Sequence, residues 1–184
     1  LDYKIYTAKI LSKAKVIATV SAFSKKDIIS QYGIAADKIN IVYSAAKEIF
    51  QPLTNEEKQA TRTKYTGGKE YFVYTGAIHP RKNLVNLLKA FSLFKKRQQS
   101  SMKLVLAGRL AWEYDSFVKN LKTYKYRDDV VMTGYVNEEE IRKLVGAAYT
   151  MVYPSLFEGF GVPVLEAMQC DVPVITSLNS SMQE

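Results

Sequence analysis

The chain has 184 residues, 47% of them hydrophobic and 24% charged, a formal net charge of +8 and one cysteine, Cys170. That is the composition of a soluble globular protein, with length for one domain and a real core, or one domain and part of a second. It excludes an internal disulfide and a cysteine metal cluster, and no apolar run approaches the ~20 residues that a membrane helix needs. With a single cysteine a reducing cytoplasm is the expected compartment, and the N-terminus lacks the charged, apolar and small-residue succession of a signal peptide. Because the chain opens on Leu1 without an initiator Met and stops after a predicted strand, it reads as a piece of a longer protein.

In chain order, residues 2–13 carry the spacing of a short helix, and the β-branched run Val16–Val20 reads as a buried strand. Ser24-Lys-Lys-Asp27 resembles a capping box with Asp in the Glu position, opening a helix that Gly33 closes. Ile39–Tyr43 is a second short strand. Residues 44–69 are polar, with Pro52 and Gly67-Gly68, and make the best boundary. From Glu70 strands and helices alternate. The strands are Tyr71–Thr75, Lys103–Ala107, Val130–Thr133, Tyr149–Tyr153 and Val172–Thr176. Between them lie the stripe Leu84, Leu87, Leu88, Phe91 and Phe94, helical spacing over 113–124, a helix over 137–147 with Glu138, Glu139 and Glu140 in its first turn, and a helix from Pro163 to Gln169. This alternation argues for a parallel sheet covered on both faces, a Rossmann-like α/β fold whose ligands bind beyond the carboxyl ends of its strands.

Charge is uneven along the chain. Residues 54–135 hold 16 Lys and Arg against 7 Asp and Glu, residues 1–53 hold 8 against 4, and residues 136–184 hold 2 against 7. A basic middle suits an anionic partner such as a nucleotide diphosphate, a nucleic acid or an acidic membrane surface. For most of these charges a solvated helix face, as at Lys95-Lys96-Arg97, is the better account.

Four loops follow the carboxyl ends of the strands. The first, Gly76-Ala-Ile-His-Pro-Arg-Lys-Asn83, sets Arg81 and Lys82 at a helix start, where two cations oppose the local dipole and a diphosphate would compensate them; the competing reading is two solvated cations. His79 is either a loop former or a polar group near a donor sugar. In the second loop, Arg109 and Trp112 either flank a nucleotide or pack a helix start. In the third, Gly134, Tyr135 and Val136 either offer backbone and a ring to a base or form a plain turn. The fourth loop, Pro154-Ser-Leu-Phe-Glu158-Gly-Phe-Gly161-Val-Pro163-Val-Leu-Glu166, is the most informative. Pro163 fits the first turn of a helix, residues 159–162 bring backbone N–H groups to its positive end, and Gly159 and Gly161 let that backbone approach an anion. Glu158 and Glu166 then stand on either side of a diphosphate, where carboxylates accept hydrogen bonds from sugar hydroxyls. Alone, the pair is also consistent with a capped Gly-rich turn.

The segment Glu158 to Glu166 resembles the E-x7-E motif of the group 1 retaining glycosyltransferases, family 4, of GT-B architecture. Companion segments fall in the same order: Val20-Ser-Ala-Phe-Ser-Lys-Lys-Asp27, Tyr74-Thr-Gly-Ala-Ile-His-Pro-Arg-Lys-Asn-Leu84, Leu104-Val-Leu-Ala-Gly108, Thr133-Gly-Tyr-Val136, Tyr153-Pro-Ser155 and Glu166-Ala-Met168. Together they cover about residues 16–184, and ordered motifs are far more specific than one.

The resemblance implies that residues 1–43 are the tail of an acceptor-binding domain, 44–69 a linker region, and 70–184 a donor-binding Rossmann-like domain truncated at its C-terminus. It implies transfer of a hexose, as in mannosyltransferases, from a nucleoside-diphosphate sugar such as GDP-mannose or UDP-glucose to a glycan or lipid-linked glycan, without a bound metal and with retained configuration. Glu166 would bind the ribose and Glu158 the hexose. Arg81 and Lys82 would face the diphosphate, and Phe160, Gly161 and Val162 would meet sugar and phosphate. Gly76, Arg109, Tyr135 and Val136 would complete the donor site. The isolated fragment would be inactive. The protein would be cytoplasmic, and a lipid-linked acceptor at the inner membrane face would suit its basic surface. Three departures stand out. Ala77 replaces the family's Arg, with Arg81 a candidate substitute. Ser44-Ala45-Ala46 replaces an Asn-Gly. Asp171 stands where a Gly usually ends the motif helix, and Asp tolerates the left-handed conformation better than most residues. A non-catalytic nucleotide-sugar-binding module is the alternative. A nucleic-acid binder would use the charge, but no recognition motif supports it.

Overall fold

The computed structural model describes residues 3–109 and 115–184; Trp112 lies outside the described residues. The chain forms two compact units. One comprises Leu1–Ala45, Phe157–Gly161 and Leu178–Glu184, the other Ala46–Leu156 and Val162–Ser177.

The smaller unit contains helix α1 (Tyr3–Lys13), strand β1 (Ile17–Thr19), helix α2 (Ala22–Tyr32) and strand β2 (Ile39–Ile41). The strands pair in parallel, Ile17 with Ile39 and Thr19 with Ile41. Ile17 and Thr19 are buried while Val16 is 65% and Val20 38% exposed, so only the middle of the β-branched run is a buried strand. The cap of α2 lies three residues earlier than the sequence suggests. Ser21, extended at φ −158°, accepts from the Ser24 N–H, which places Ser24 inside the first turn; Gly33 closes the helix at φ +64° as expected.

The larger unit begins with a helix that sequence patterning does not reveal, α3 (Asn55–Thr66). It buries only Thr61 and Thr66, so it has no apolar stripe to read. A capping box does mark it: Glu57 N–H donates to the Thr54 hydroxyl at 3.2 Å and Thr54 N–H to the Glu57 carboxylate at 2.9 Å.

Then come strand β3 (Tyr71–Thr75), helix α4 (Leu84–Gln98), strand β4 (Lys103–Ala107), helix α5 (Asp115–Lys122), strand β5 (Val130–Gly134), helix α6 (Glu138–Gly146), strand β6 (Thr150–Tyr153), helix α7 (Val162–Gln169) and strand β7 (Val174–Thr176). Polar pairs tie α3 to α6, with Lys64 to Glu140 at 2.7 Å and Arg142 to Glu57 at 3.3 Å.

The five strands form one sheet in the order β5-β4-β3-β6-β7, every neighbouring pair parallel. This is the Rossmann-like α/β arrangement that the alternation predicts. Tyr71, Val73, Tyr74, Leu104, Val105, Leu106 and Met151 are wholly buried. The buried Tyr71 hydroxyl donates to the Leu144 carbonyl at 2.8 Å, which satisfies a group that burial pushes well above its ordinary pKa. Lys95 is not part of a solvated basic face. Its stem is buried and its ammonium lies 2.9 Å from Asp129, which also takes Lys103 at 2.7 Å.

Candidate functional site

The strand order creates the site. β3 is central; the chain moves outward through β4 and β5, then crosses back to β6 on the other side of β3. Neighbouring strands whose connections diverge leave a crevice beyond their carboxyl ends. The loops leaving β3 and β6 are therefore neighbours, although some 70 residues separate them in sequence. Leu156 N–H donates to the Arg81 carbonyl at 2.8 Å, and the Asn83 side-chain amide donates to the Pro154 carbonyl at 3.2 Å.

The loop after β3 is shaped by its own side chains. His79 Nδ1 accepts from the Arg81 N–H at 3.1 Å and caps the short turn Pro80–Lys82, so His79 acts as a loop former. Arg81 and Lys82 precede α4, which starts at Leu84, with Asn83 between them in a left-handed conformation at φ +61°. Arg81 is exposed. Lys82 is only 8% exposed, which rules out a freely solvated cation. Its ammonium donates to the Tyr153 hydroxyl at 2.7 Å and lies 4.8 Å from that ring's centroid, so the phenol oxygen is the closer partner. Tyr153 stacks on Tyr74, and the Tyr74 hydroxyl donates to the Ala77 carbonyl at 3.0 Å.

The backbone at the ends of β3 and β4 is packed too tightly for side chains. Gly76 N–H donates to Ala107, and Ile78 N–H to Arg109. A Cβ on Gly108 would stand 2.0 Å from the Gly76 carbonyl oxygen. Gly108 N–H donates in turn to the Gly134 carbonyl, which links the second and third loops. Arg109 is exposed, Tyr135 is 81% exposed and Val136 is half-buried.

Glu166 lies in the second turn of α7 and is half-buried. Burial raises its pKa above the ordinary carboxylate value, the Glu138 charge adds to the rise, and Lys47 opposes it. Lys47 itself pairs with Glu138 at 2.5 Å. After α7, Asp171 adopts the left-handed conformation at φ +56°, and Val172 N–H returns to the Ala167 carbonyl at 2.9 Å, as the sequence departure at this position requires. Cys170 beside it is buried, and burial pushes its thiol up to about 11.

The first glutamate of the motif belongs to the smaller unit. Glu158 is 8% exposed. Its backbone N–H donates to the Ser180 hydroxyl at 3.0 Å and its carbonyl accepts from the Ser181 hydroxyl at 2.9 Å. Phe160 meets Tyr43 with ring centroids 6.0 Å apart. Gly161 has φ +101°, a backbone that disfavours any side chain, and it leads directly into Val162, the first residue of α7. Sequence patterning does not single out Ser180 or Ser181, and it assigns no role to Tyr153 although the companion segment Tyr153-Pro-Ser155 contains it. Tyr153 looks like an ordinary strand residue, and a serine pair carries no motif.

The family model for glycosyl transferases group 1 matches residues 55–184. The chain belongs to that family. Over 175 residues it is 37% identical to the O-antigen chain mannosyltransferase B of Escherichia coli, covering 95% of this chain and 46% of that protein. It is 31% identical to the O-antigen chain mannosyltransferase RfbU of Salmonella typhimurium, over 91% of this chain and 43% of that protein. The chain thus spans just under half the length of these two relatives. Among solved structures, the Anabaena protein HepE in complex with UDP and glucose superposes with a TM-score of 0.87 at 16% identity, over 98% of this chain and 49% of that one. The shared fold is that of GT-B glycosyltransferases. Among the described residues, no helix of this family member is long and apolar enough to cross a membrane.

Proposed function

We propose that the protein containing this chain transfers mannose from a nucleoside-diphosphate sugar to a growing or lipid-linked glycan. The observation that carries the donor site is the junction of the β3 and β6 loops at the switch point, where Arg81 and the buried Lys82 stand. Mannose as the sugar rests on the similarity to the two O-antigen mannosyltransferases. A nucleotide sugar as donor agrees with the complex of HepE with UDP and glucose.

In this reading the diphosphate meets Arg81, Lys82 and the N–H groups at the start of α7. Its ribose hydroxyls donate to Glu166, and the hexose hydroxyls donate to Glu158. Gly76, Phe160, Gly161 and Val162 bring backbone to the donor, and Arg109, Tyr135 and Val136 border the nucleotide. As the bond between the anomeric carbon and the diphosphate breaks, its electron pair stays on the departing oxygen. The two cations and the helix end stabilise that charge, with no resident metal in this reading. The acceptor hydroxyl attacks from the face the diphosphate leaves, which retains the configuration, and gives its proton to the departing diphosphate oxygen. The chain by itself binds donor and does not turn it over, because acceptor binding belongs to the remainder of the protein. A peripheral position at the inner membrane face brings a lipid-linked acceptor to this basic protein.

Calorimetric titration with GDP and UDP tests the donor site. A hydrogen bond to a charged group contributes ~1.5–3 kcal/mol, so Glu166→Ala should weaken binding of the preferred nucleotide about tenfold or more. Unchanged affinity in that variant would remove Glu166 from the site.

A further inference from the structure

Glu158 is held by the backbone on both of its sides, and each holding contact leads to the same place. Its N–H donates to Ser180 Oγ at 3.0 Å and its carbonyl accepts from Ser181 Oγ at 2.9 Å. Ser181 is buried, and Ser180 takes φ +50°, a left-handed conformation uncommon for serine. A glycine would adopt that backbone more easily but has no oxygen to offer the Glu158 N–H. On either side of Glu158, the Phe157 ring meets Phe23 edge-on at 5.4 Å and the Gly159 carbonyl accepts from Ser24 Oγ at 3.2 Å. Phe23 and Ser24 form the first turn of α2. That turn is tied back to the serine segment by Glu184, whose two carboxylate oxygens accept from the Ala22 N–H at 2.8 Å and the Phe23 N–H at 2.7 Å. The contacts close a ring running from α2 to residues 157–159, on to Ser180 and Ser181, then to Glu184 and back to α2.

We infer that this ring is a clamp that aims the Glu158 carboxylate, and that Ser180, Ser181 and Glu184 are positioning residues for the donor hexose. The inference rests on the proposed role of Glu158. Both peptide units flanking Glu158 are fixed, so its Cα–Cβ direction is fixed before substrate arrives. Such preorganisation matters because a displacement of ~1 Å at a reacting centre can slow turnover ~100-fold.

The test is the release of GDP from GDP-mannose by the full-length protein. Ser181→Ala and Ser180→Gly, the second of which keeps the left-handed backbone, should each lower kcat at least tenfold. The KM for GDP-mannose and the affinity for GDP should stay within error and both variants should remain folded at the assay temperature, with a lower melting temperature for Ser181→Ala because a buried carbonyl loses its donor. Ser181→Thr, which restores the hydroxyl, should recover most of the rate. On a Glu158→Gln background, Ser181→Ala should have no further effect, because two groups acting through one carboxylate are not additive. Independent, multiplicative losses would overturn the clamp, as would an unchanged kcat in both serine variants while Glu158→Gln is inactive. Full activity of Glu158→Gln would instead overturn the proposed role of Glu158, and no turnover of GDP-mannose by the wild type would overturn that donor; either would take the clamp with it.

Discussion

Lys82 and Glu166 are both charged groups removed from water, but they are stabilised differently. The Lys82 ammonium has the Tyr153 phenol at 2.7 Å, and hydrogen bonds to a charged group contribute ~1.5–3 kcal/mol. Tyr153→Phe should therefore lower unfolding stability by about 2 kcal/mol in urea titration, moving the midpoint without changing its slope. An unmoved midpoint would mean that Lys82 is anchored elsewhere. Glu166 is raised above its ordinary 4.5 by burial first and by Glu138 second. A carboxyl whose folded pKa exceeds its unfolded one binds more protons when native. Its contribution to stability is therefore greatest below 4.5 and falls as pH rises through the raised value. Glu166→Gln should raise the melting temperature at about pH 8 and leave it nearly unchanged at about pH 4, while weakening nucleotide binding at about pH 8 far more than at about pH 4, where the wild-type carboxyl is itself largely neutral. A gain equal at both pH values would show that ionisation is not the cause. The sequence shows that two cations and two carboxylates occupy these loops. It does not show which of them are buried, because burial depends on β6 lying beside β3, a pairing made across about 70 residues.

At the level of elements, the sharpest constraint is the close approach of β3 and β4 at their carboxyl ends. Gly108→Ala would force a Cβ to within 2.0 Å of the Gly76 carbonyl, which is backbone and cannot rotate away. Overpacking of this kind costs ~1–3 kcal/mol and occasionally more, and the displaced part is the loop proposed to hold the donor. The variant should lose stability by about that amount together with nucleotide affinity, read by thermal melting and calorimetry on one preparation. Thr54→Ala makes the contrast. It removes the α3 cap, for ~1 kcal/mol, in a helix that precedes β3 and whose ion pairs run to Glu140 and Arg142 of α6. Its nucleotide affinity should equal the wild type's, and a joint loss would tie α3 to the site. β3, β4 and β5 are legible because their apolar runs each end at a glycine, Gly76, Gly108 and Gly134, and β6 and β7 because further short apolar runs alternate with helical spacing. α3 is not, because it is held by its cap and by ion pairs to α6 instead of an apolar face.

On the scale of the whole molecule, the alternation of strands and helices from Tyr71 onward foretells the parallel sheet, and the strand order follows from where the chain crosses back. What alternation does not foretell is that residues 157–161 and 178–184 join the smaller unit with α2, although both segments directly adjoin sheet elements in sequence. The reason is side-chain chemistry at separations above 130 residues: Ser24 to Gly159, and Glu184 to Ala22 and Phe23. The sheet also predicts its own order of opening. β3 and β4 are central and almost fully buried, whereas β5 and β7 are the edges and only partly covered. Native-state amide exchange should be slowest in Val73–Thr75 and Leu104–Ala107 and fastest, among the strands of this sheet, in β7. A β7 as protected as β3 would mean that the edge is covered in solution.

The chain's one thiol has a practical consequence. Cys170 is buried and its pKa stands at about 11, so near neutral pH it is almost entirely the unreactive thiol form. This chain is in effect chemically silent toward maleimides and disulfide reagents without its cysteine being removed. A cysteine placed at the 81% exposed Tyr135 would then be this chain's reactive thiol, putting a fluorophore on the loop after β5, proposed to border the nucleotide, against a dark background.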